Sequence, residues 1–119
     1  MVAVQPVGCA PVVRAWREGA DRVERWEGAE TAAHGLRVPK PFAGRLILRA
    51  LRESHGCAVA VSEDDLVEAR ADLAQQEGLL VCLEGAATLA AARNLRSEGW
   101  VQPEERVVLF NTGMGLKGL

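Results

Sequence analysis

The sequence predicts an α/β fold, a three-layer unit with about four mainly parallel strands, and three observations carry that prediction. Short runs of β-branched or apolar residues recur at 2–5, 57–61, 79–82 and 107–110. Between them lie segments whose apolar residues repeat at helical spacing, so strands and helices alternate. Glycine or proline punctuates the element ends, at Pro6-Val-Gly8, His55-Gly56, Gly78 and Gly99. Alternation of this kind implies parallel pairing through right-handed crossovers. It also places a ligand crevice beyond the carboxyl ends of the strands.

The elements follow in order. Val2-Ala-Val-Gln5 reads as a short buried strand broken by Pro6-Val-Gly8. Val12, Val13, Trp16 and Ala20 then make one helical face, with Pro11 tolerated in the first turn. Residues 21–40 are the least regular stretch: a charged run to Glu30, then Val38-Pro-Lys-Pro41, held extended by its prolines. Phe42, Leu46, Leu48, Ala50 and Leu51 suggest a helix over 42–53. Cys57-Ala-Val-Ala-Val61 is a strand. Ser62 is placed as the N-cap of the next helix, with Asp65 in the capping-box position. Leu66, Ala69, Leu73 and Ala74 face inward, and that helix stops near Gly78. Leu79-Leu-Val-Cys82 reads as a third strand. An alanine-rich helix then runs from Glu84 to near Gly99, and residues 107–110 read as a last buried strand after the Pro103 turn.

Composition bounds the function. The 119 residues suffice for one domain with a real core, so 1–119 is read as a single α/β domain. A formal net charge of −2 gives no argument for nucleic acid or an anionic membrane as partner. No segment approaches the roughly 20 apolar residues of a membrane span. Cys9, Cys57 and Cys82 are odd in number and not spaced as metal ligands, so no metal is expected and reduced thiols in a cytoplasmic protein are. The opening residues lack the charged leader and apolar stretch of a signal peptide. A strand so near the first residue implies a sheet edge without its neighbour, and self-association through that edge into a homo-oligomer is expected.

Three segments are expected to converge at the strand ends: Gln5-Pro-Val-Gly8, Leu83-Glu84-Gly85 and Asn111-Thr112-Gly113. The Thr112 hydroxyl both donates and accepts, so it can bond a ring nitrogen without imposing charge. On chemistry alone, a plain turn tying off a strand end accounts for it better. Glu84 at a helix start is likewise explained by the helix dipole. His34 and His55 have no carboxylate or cysteine at relay spacing, and Trp16 and Trp26 read as packing residues. Met114-Gly-Leu-Lys117 follows a strand but opens no helix, which excludes a P-loop.

Five stretches, in order and over essentially the whole length, carry a resemblance. They are Val2-Ala-Val-Gln-Pro-Val-Gly-Cys-Ala-Pro11, Gly35-Leu-Arg-Val-Pro-Lys-Pro-Phe42 with Arg45-Leu-Ile-Leu-Arg-Ala-Leu-Arg-Glu-Ser54, Ala58-Val-Ala-Val-Ser62, Glu84-Gly-Ala-Ala87 and Asn111-Thr-Gly-Met-Gly-Leu-Lys117. With these the chain resembles the C-terminal portion of short-form threonine synthase, a pyridoxal-phosphate lyase of fold type II. The resemblance implies the C-terminal part of a fold type II large domain. It implies that Thr112 hydrogen-bonds the pyridine nitrogen of pyridoxal 5'-phosphate and that Glu84 lies near the cofactor ring. Leu83 stands where that family usually has proline.

The family's Schiff-base lysine and its glycine-rich phosphate loop have no counterpart here, and Lys40 and Lys117 are the only lysines. The resemblance therefore implies no catalytic residue in this chain, no stable cofactor binding and no activity by the chain alone. The parent reaction would convert O-phosphohomoserine and water to threonine and phosphate, with a missing N-terminal portion as partner. The chain would be an expressed fragment, a truncated product or one piece of a split enzyme. A segment of a related threonine or serine dehydratase and a stand-alone, non-catalytic ligand- or protein-binding module are the alternatives.

Overall fold

The computed structural model of the chain describes residues 1–118, with side chains through residue 116. Its backbone gathers into two compact units, Met1–Ser62 and Glu63–Leu119. In the first unit, strands β1 (Val2–Pro6) and β2 (Cys57–Val61) pair in parallel, with Val2 opposite Cys57 and Pro6 opposite Val61. Helix α1 (Pro11–Arg17) and helix α2 (Gly44–Glu53) pack on these strands and on each other. Alternation along a strand sends Ala3, Ala58 and Ala60 to the side that meets the helices. Their small side chains let the helices approach, and the cluster with Val12, Val13, Ala15, Val23, Leu48 and Leu51 forms a core.

Helix α1 starts without a capping side chain of its own, since Ala10 stands at the N-cap. Gln5 supplies the missing acceptor from the strand: its Oε1 accepts from the backbone N–H of Val12 at 2.9 Å and of Val13 at 3.1 Å. Two orphan donors of the first turn are thereby satisfied. Gln5, read from sequence as part of a ligand crevice, thus serves strand-to-helix packing. Gly8 follows because a Cβ there would overlap the backbone carbonyl of Glu30, whose N–H donates to the Gly8 carbonyl at 3.1 Å.

Residues 21–40 are irregular, as expected, apart from a short 3-10 turn at His34–Leu36. Side chains hold this stretch by gripping its backbone. Arg14 donates to the Glu24 carbonyl at 3.0 Å and to the Arg25 carbonyl at 3.2 Å, and its guanidinium lies 4.9 Å from the centre of the Trp26 ring. Lys40 Nζ donates to the Val23 carbonyl at 2.8 Å. Helix α2 begins two residues later than the pattern suggested, and its inward face is Gly44, Leu48 and Leu51. Phe42 and Leu46, expected inside, are exposed. The 3.6-residue period allows one inward stripe, and the turn before Gly44 sets which residues occupy it.

In the second unit, helices α3 (Glu63–Glu77) and α4 (Leu83–Ser97) pack along one another. Arg93 and Asp72 pair across them at 2.7 Å. Leu66 and Ala69 of α3 and Ala86, Ala87, Ala90, Ala91 and Leu95 of α4 are buried. Gly78 and Gly99 end the helices at φ of +67° and +83°, where a side chain is disfavoured.

The α/β class stands, but two of the expected strands do not form. Among the described residues the sheet has two strands. Residues 79–82 contribute only an isolated antiparallel bridge between Val81 and Met114. Residues 107–110 form no strand, and their side chains are exposed. The cause is the nature of a strand, which exists only through bonds to a neighbour. β-branched composition supplies the propensity without the partner.

Candidate cofactor-binding site

The N-terminus of α4 and the 111–115 loop meet within the second unit. Cys82 is the N-cap of α4, at φ −70° and ψ 163°, and its Sγ accepts from the Gly85 N–H at 3.4 Å. The Cys82 N–H in turn donates to the Gly113 carbonyl at 3.2 Å, and the Gly115 N–H donates to the Leu80 carbonyl at 2.9 Å. These two bonds flank the Val81–Met114 bridge and tie the loop to the segment that feeds the helix. A Cβ on Gly113 would touch Cys82 Sγ at 3.4 Å.

Asn111 closes the corner. Its Oδ1 lies 4.0 Å from Cys82 Sγ and directly against Gly85, where any Cβ would overlap it. Gly85 is therefore glycine because Asn111 leans on the first turn of α4. Thr88 Oγ1 donates to the Gly85 carbonyl at 2.6 Å one turn on.

Thr112 sits between Asn111 and Gly113 with its side chain exposed, and Glu84 occupies the second position of α4, half-buried. Two of the three segments expected at one crevice are thus joined here through Asn111, Gly85, Cys82 and Gly113. The third, residues 5–8, belongs to the other unit. Cys82 and the Asn111 side chain were not singled out by the sequence. The helix was expected from Glu84, and it starts one residue earlier, at Leu83, which makes Cys82 the N-cap.

Among the described residues, no group of three or more His, Cys, Asp or Glu side chains is placed to hold a metal ion. Cys9, Cys57 and Cys82 are free thiols. No helix is long and apolar enough to cross a membrane. His34 and His55 are exposed, while Trp16 and Trp26 pack against the core of the first unit.

Residues 1–113 match the model of a family described as pyridoxal-phosphate dependent enzymes. The chain belongs to that family. The cofactor of the intact family is pyridoxal phosphate. Over 117 residues, 98% of the chain, it is 35% identical to a threonine synthase of Methanocaldococcus jannaschii and 36% identical to one of Methanosarcina acetivorans. The matched segment is 29% of the length of each of those relatives. Among solved structures, a threonine deaminase of T.th. superimposes with a TM-score of 0.66 and 27% identity, over 87% of this chain and 35% of that one. Maize serine racemase, at 22% identity, superimposes with a TM-score of 0.67 over 83% of this chain and 30% of its own, and shares the fold.

A pyridine nitrogen can accept a hydrogen bond from a neutral hydroxyl, and Thr112 carries an exposed hydroxyl on the loop with Gly113 and Gly115. Of the two lysines, Lys40 donates to the Val23 carbonyl, and the Lys117 side chain lies outside the described residues.

Proposed function

We propose that this chain is a threonine synthase-like segment that supplies the ring-nitrogen contact of a pyridoxal-phosphate site and is not catalytic by itself. The observation that carries the reading is the identity to two threonine synthases over 98% of the chain. In the parent reaction, O-phosphohomoserine and water become threonine and phosphate. Bound pyridoxal phosphate supplies an electron-withdrawing ring that stabilises negative charge on the substrate carbon. Thr112 would hold the ring nitrogen by donating its hydroxyl hydrogen to it, an arrangement that leaves the nitrogen unprotonated and uncharged. Glu84 places a carboxylate at the start of α4, and the Asn111–Gly85 contact fixes the spacing between the two. The free thiols accord with a cytoplasmic location.

A second reading, a segment of a related threonine deaminase, is favoured by the superposition on the T.th. enzyme. Co-expression separates the two. The chain is paired with a Methanocaldococcus jannaschii threonine synthase lacking the matched segment, and phosphate release from O-phosphohomoserine is assayed. Restored release that falls on T112A supports the synthase reading, whereas restored deamination of threonine by a similarly trimmed deaminase, with no phosphate release, supports the second.

Inactivity of the chain alone is tested by titrating it with pyridoxal phosphate, reducing with borohydride and mapping the labelled peptides. Diffuse, sub-stoichiometric labelling and no phosphate release are expected. Stoichiometric labelling of one lysine together with phosphate release overturns the claim.

A further inference from the structure

We infer that Cys82 is the positioning residue for Thr112: its thiol and its backbone hold both neighbours of Thr112 against the start of α4. The inference rests on Thr112 as the ring-nitrogen contact and adds the group that sets where that hydroxyl stands. Cys82 is buried, at 7% exposure, while Thr112 is exposed. Among the described residues Thr112 makes no hydrogen bond of its own, so its place is inherited from its neighbours. On one side, Asn111 Oδ1 lies 4.0 Å from Cys82 Sγ, within reach of the weak S–H donor. On the other, the Gly113 carbonyl accepts from the Cys82 N–H at 3.2 Å. Gly113 also approaches the sulfur so closely that a Cβ on it would stand 3.4 Å away. The same sulfur accepts from the Gly85 N–H at 3.4 Å, which ties all of this to α4.

The size of sulfur is what lets one side chain serve the helix and the loop together. Serine is a strong N-cap and would hold the helix start. A hydroxyl, however, bonds at roughly 2.7–3.2 Å, shorter than either separation around Sγ. Serine drawn in to the Gly85 N–H therefore gives up Asn111 and the packing on Gly113. The C82S substitution separates the two roles: it keeps the cap and releases the loop.

The test compares the full chain with C82S by NMR. The Gly85 and Ala86 amides are expected to keep their protection from exchange, because the helix stays capped. The Asn111 side-chain amide is expected to shift, and the Thr112 amide order parameter to fall from about 0.85 toward about 0.6. A Thr112 that stays ordered, or that loosens only together with Gly85 and Ala86, overturns the inference. In the co-expressed assembly with the trimmed threonine synthase, C82S is expected to lower phosphate release at least about five-fold through the misplaced hydroxyl. With T112A already present, C82S is expected to lower it no further. A loss that adds to that of T112A means that Cys82 acts otherwise than through Thr112, and it too overturns the inference. Release that T112A leaves unchanged counts against the ring-nitrogen reading instead, and the order parameter of the isolated chain still decides whether Cys82 holds the loop.

Discussion

The Met1–Ser62 unit satisfies its strands and the Glu63–Leu119 unit does not. In the first, β1 finds β2 fifty residues on in the sequence, and Gln5 on the strand caps the helix that follows. In the second, two long helices find each other, while the β-prone segment at 107–110 is left bare to solvent. A helix closes its own hydrogen bonds, so a local signal suffices to make it. A strand signal is a promise that only a neighbour can keep. The difference implies that the first unit should be sensitive to single changes in its core and the 107–110 segment of the second should not.

The largest expected effect tests that directly. Leu48 is fully buried in the cluster between α1, α2 and the strands. Leu48→Ala should cost about 2–5 kcal/mol through lost burial and a residual cavity. Val108→Ala, in the exposed segment, should stay within about 0.5 kcal/mol. Urea unfolding in a Trp100→Phe background, followed by the fluorescence of Trp16 and Trp26, reads the first unit. A loss below about 1 kcal/mol for Leu48→Ala would break the contrast.

Gly8→Ala comes next. The new Cβ meets a backbone carbonyl, that of Glu30, which cannot rotate away. The 8–30 connection must shift, at about 1–3 kcal/mol. An unchanged melting temperature would show that this turn is softer than its geometry implies. Gln5→Ala should cost somewhat less, about 1–2 kcal/mol, because two N–H groups at the start of α1 lose their acceptor. Gln5→Glu keeps the acceptor and adds a charge that suits the helix N-terminus, so it should recover most of the loss. Failure of that rescue would mean that Gln5 matters through packing.

The same contrast explains what could be read from the sequence. The four helices and the two strands read at 2–5 and 57–61 were legible because period, proline and glycine placement and β-branching each act locally; β1 runs one residue further, through Pro6. Residues 79–82 and 107–110 carry equally good strand composition, but their pairing partners are set by chain elsewhere, which no window of sequence contains. The inward stripe of α2 was misjudged for a related reason: Phe42 and Leu46 are as apolar as Leu48 and Leu51, and only packing decides among them. At the candidate site, the resemblance pointed to Thr112 and Glu84, on which the proposed function rests. It did not point to the contact of Asn111 with Cys82, which spans 29 residues.

Only a small effect on stability is expected at Gly85, and there the sharper readout is structural. Gly85 is the third residue of α4, where alanine should gain up to about 1 kcal/mol in helix propensity. Its Cβ overlaps Asn111 Oδ1, the tip of a side chain that can turn aside, and sits within 3.1 Å of Asn111 Cγ. Gain and cost therefore nearly cancel, and Gly85→Ala should change stability by less than about 1 kcal/mol in either direction. The Asn111 side chain must nevertheless leave the helix start. Its side-chain amide resonances should shift, and the Cys82 amide, which is bonded to the Gly113 carbonyl of the same loop, should exchange faster. If those signals stay where they are, the loop carrying Thr112 is not braced by α4. A large loss of stability with the Asn111 signals unmoved would instead mean that Gly85 is required by the helix itself.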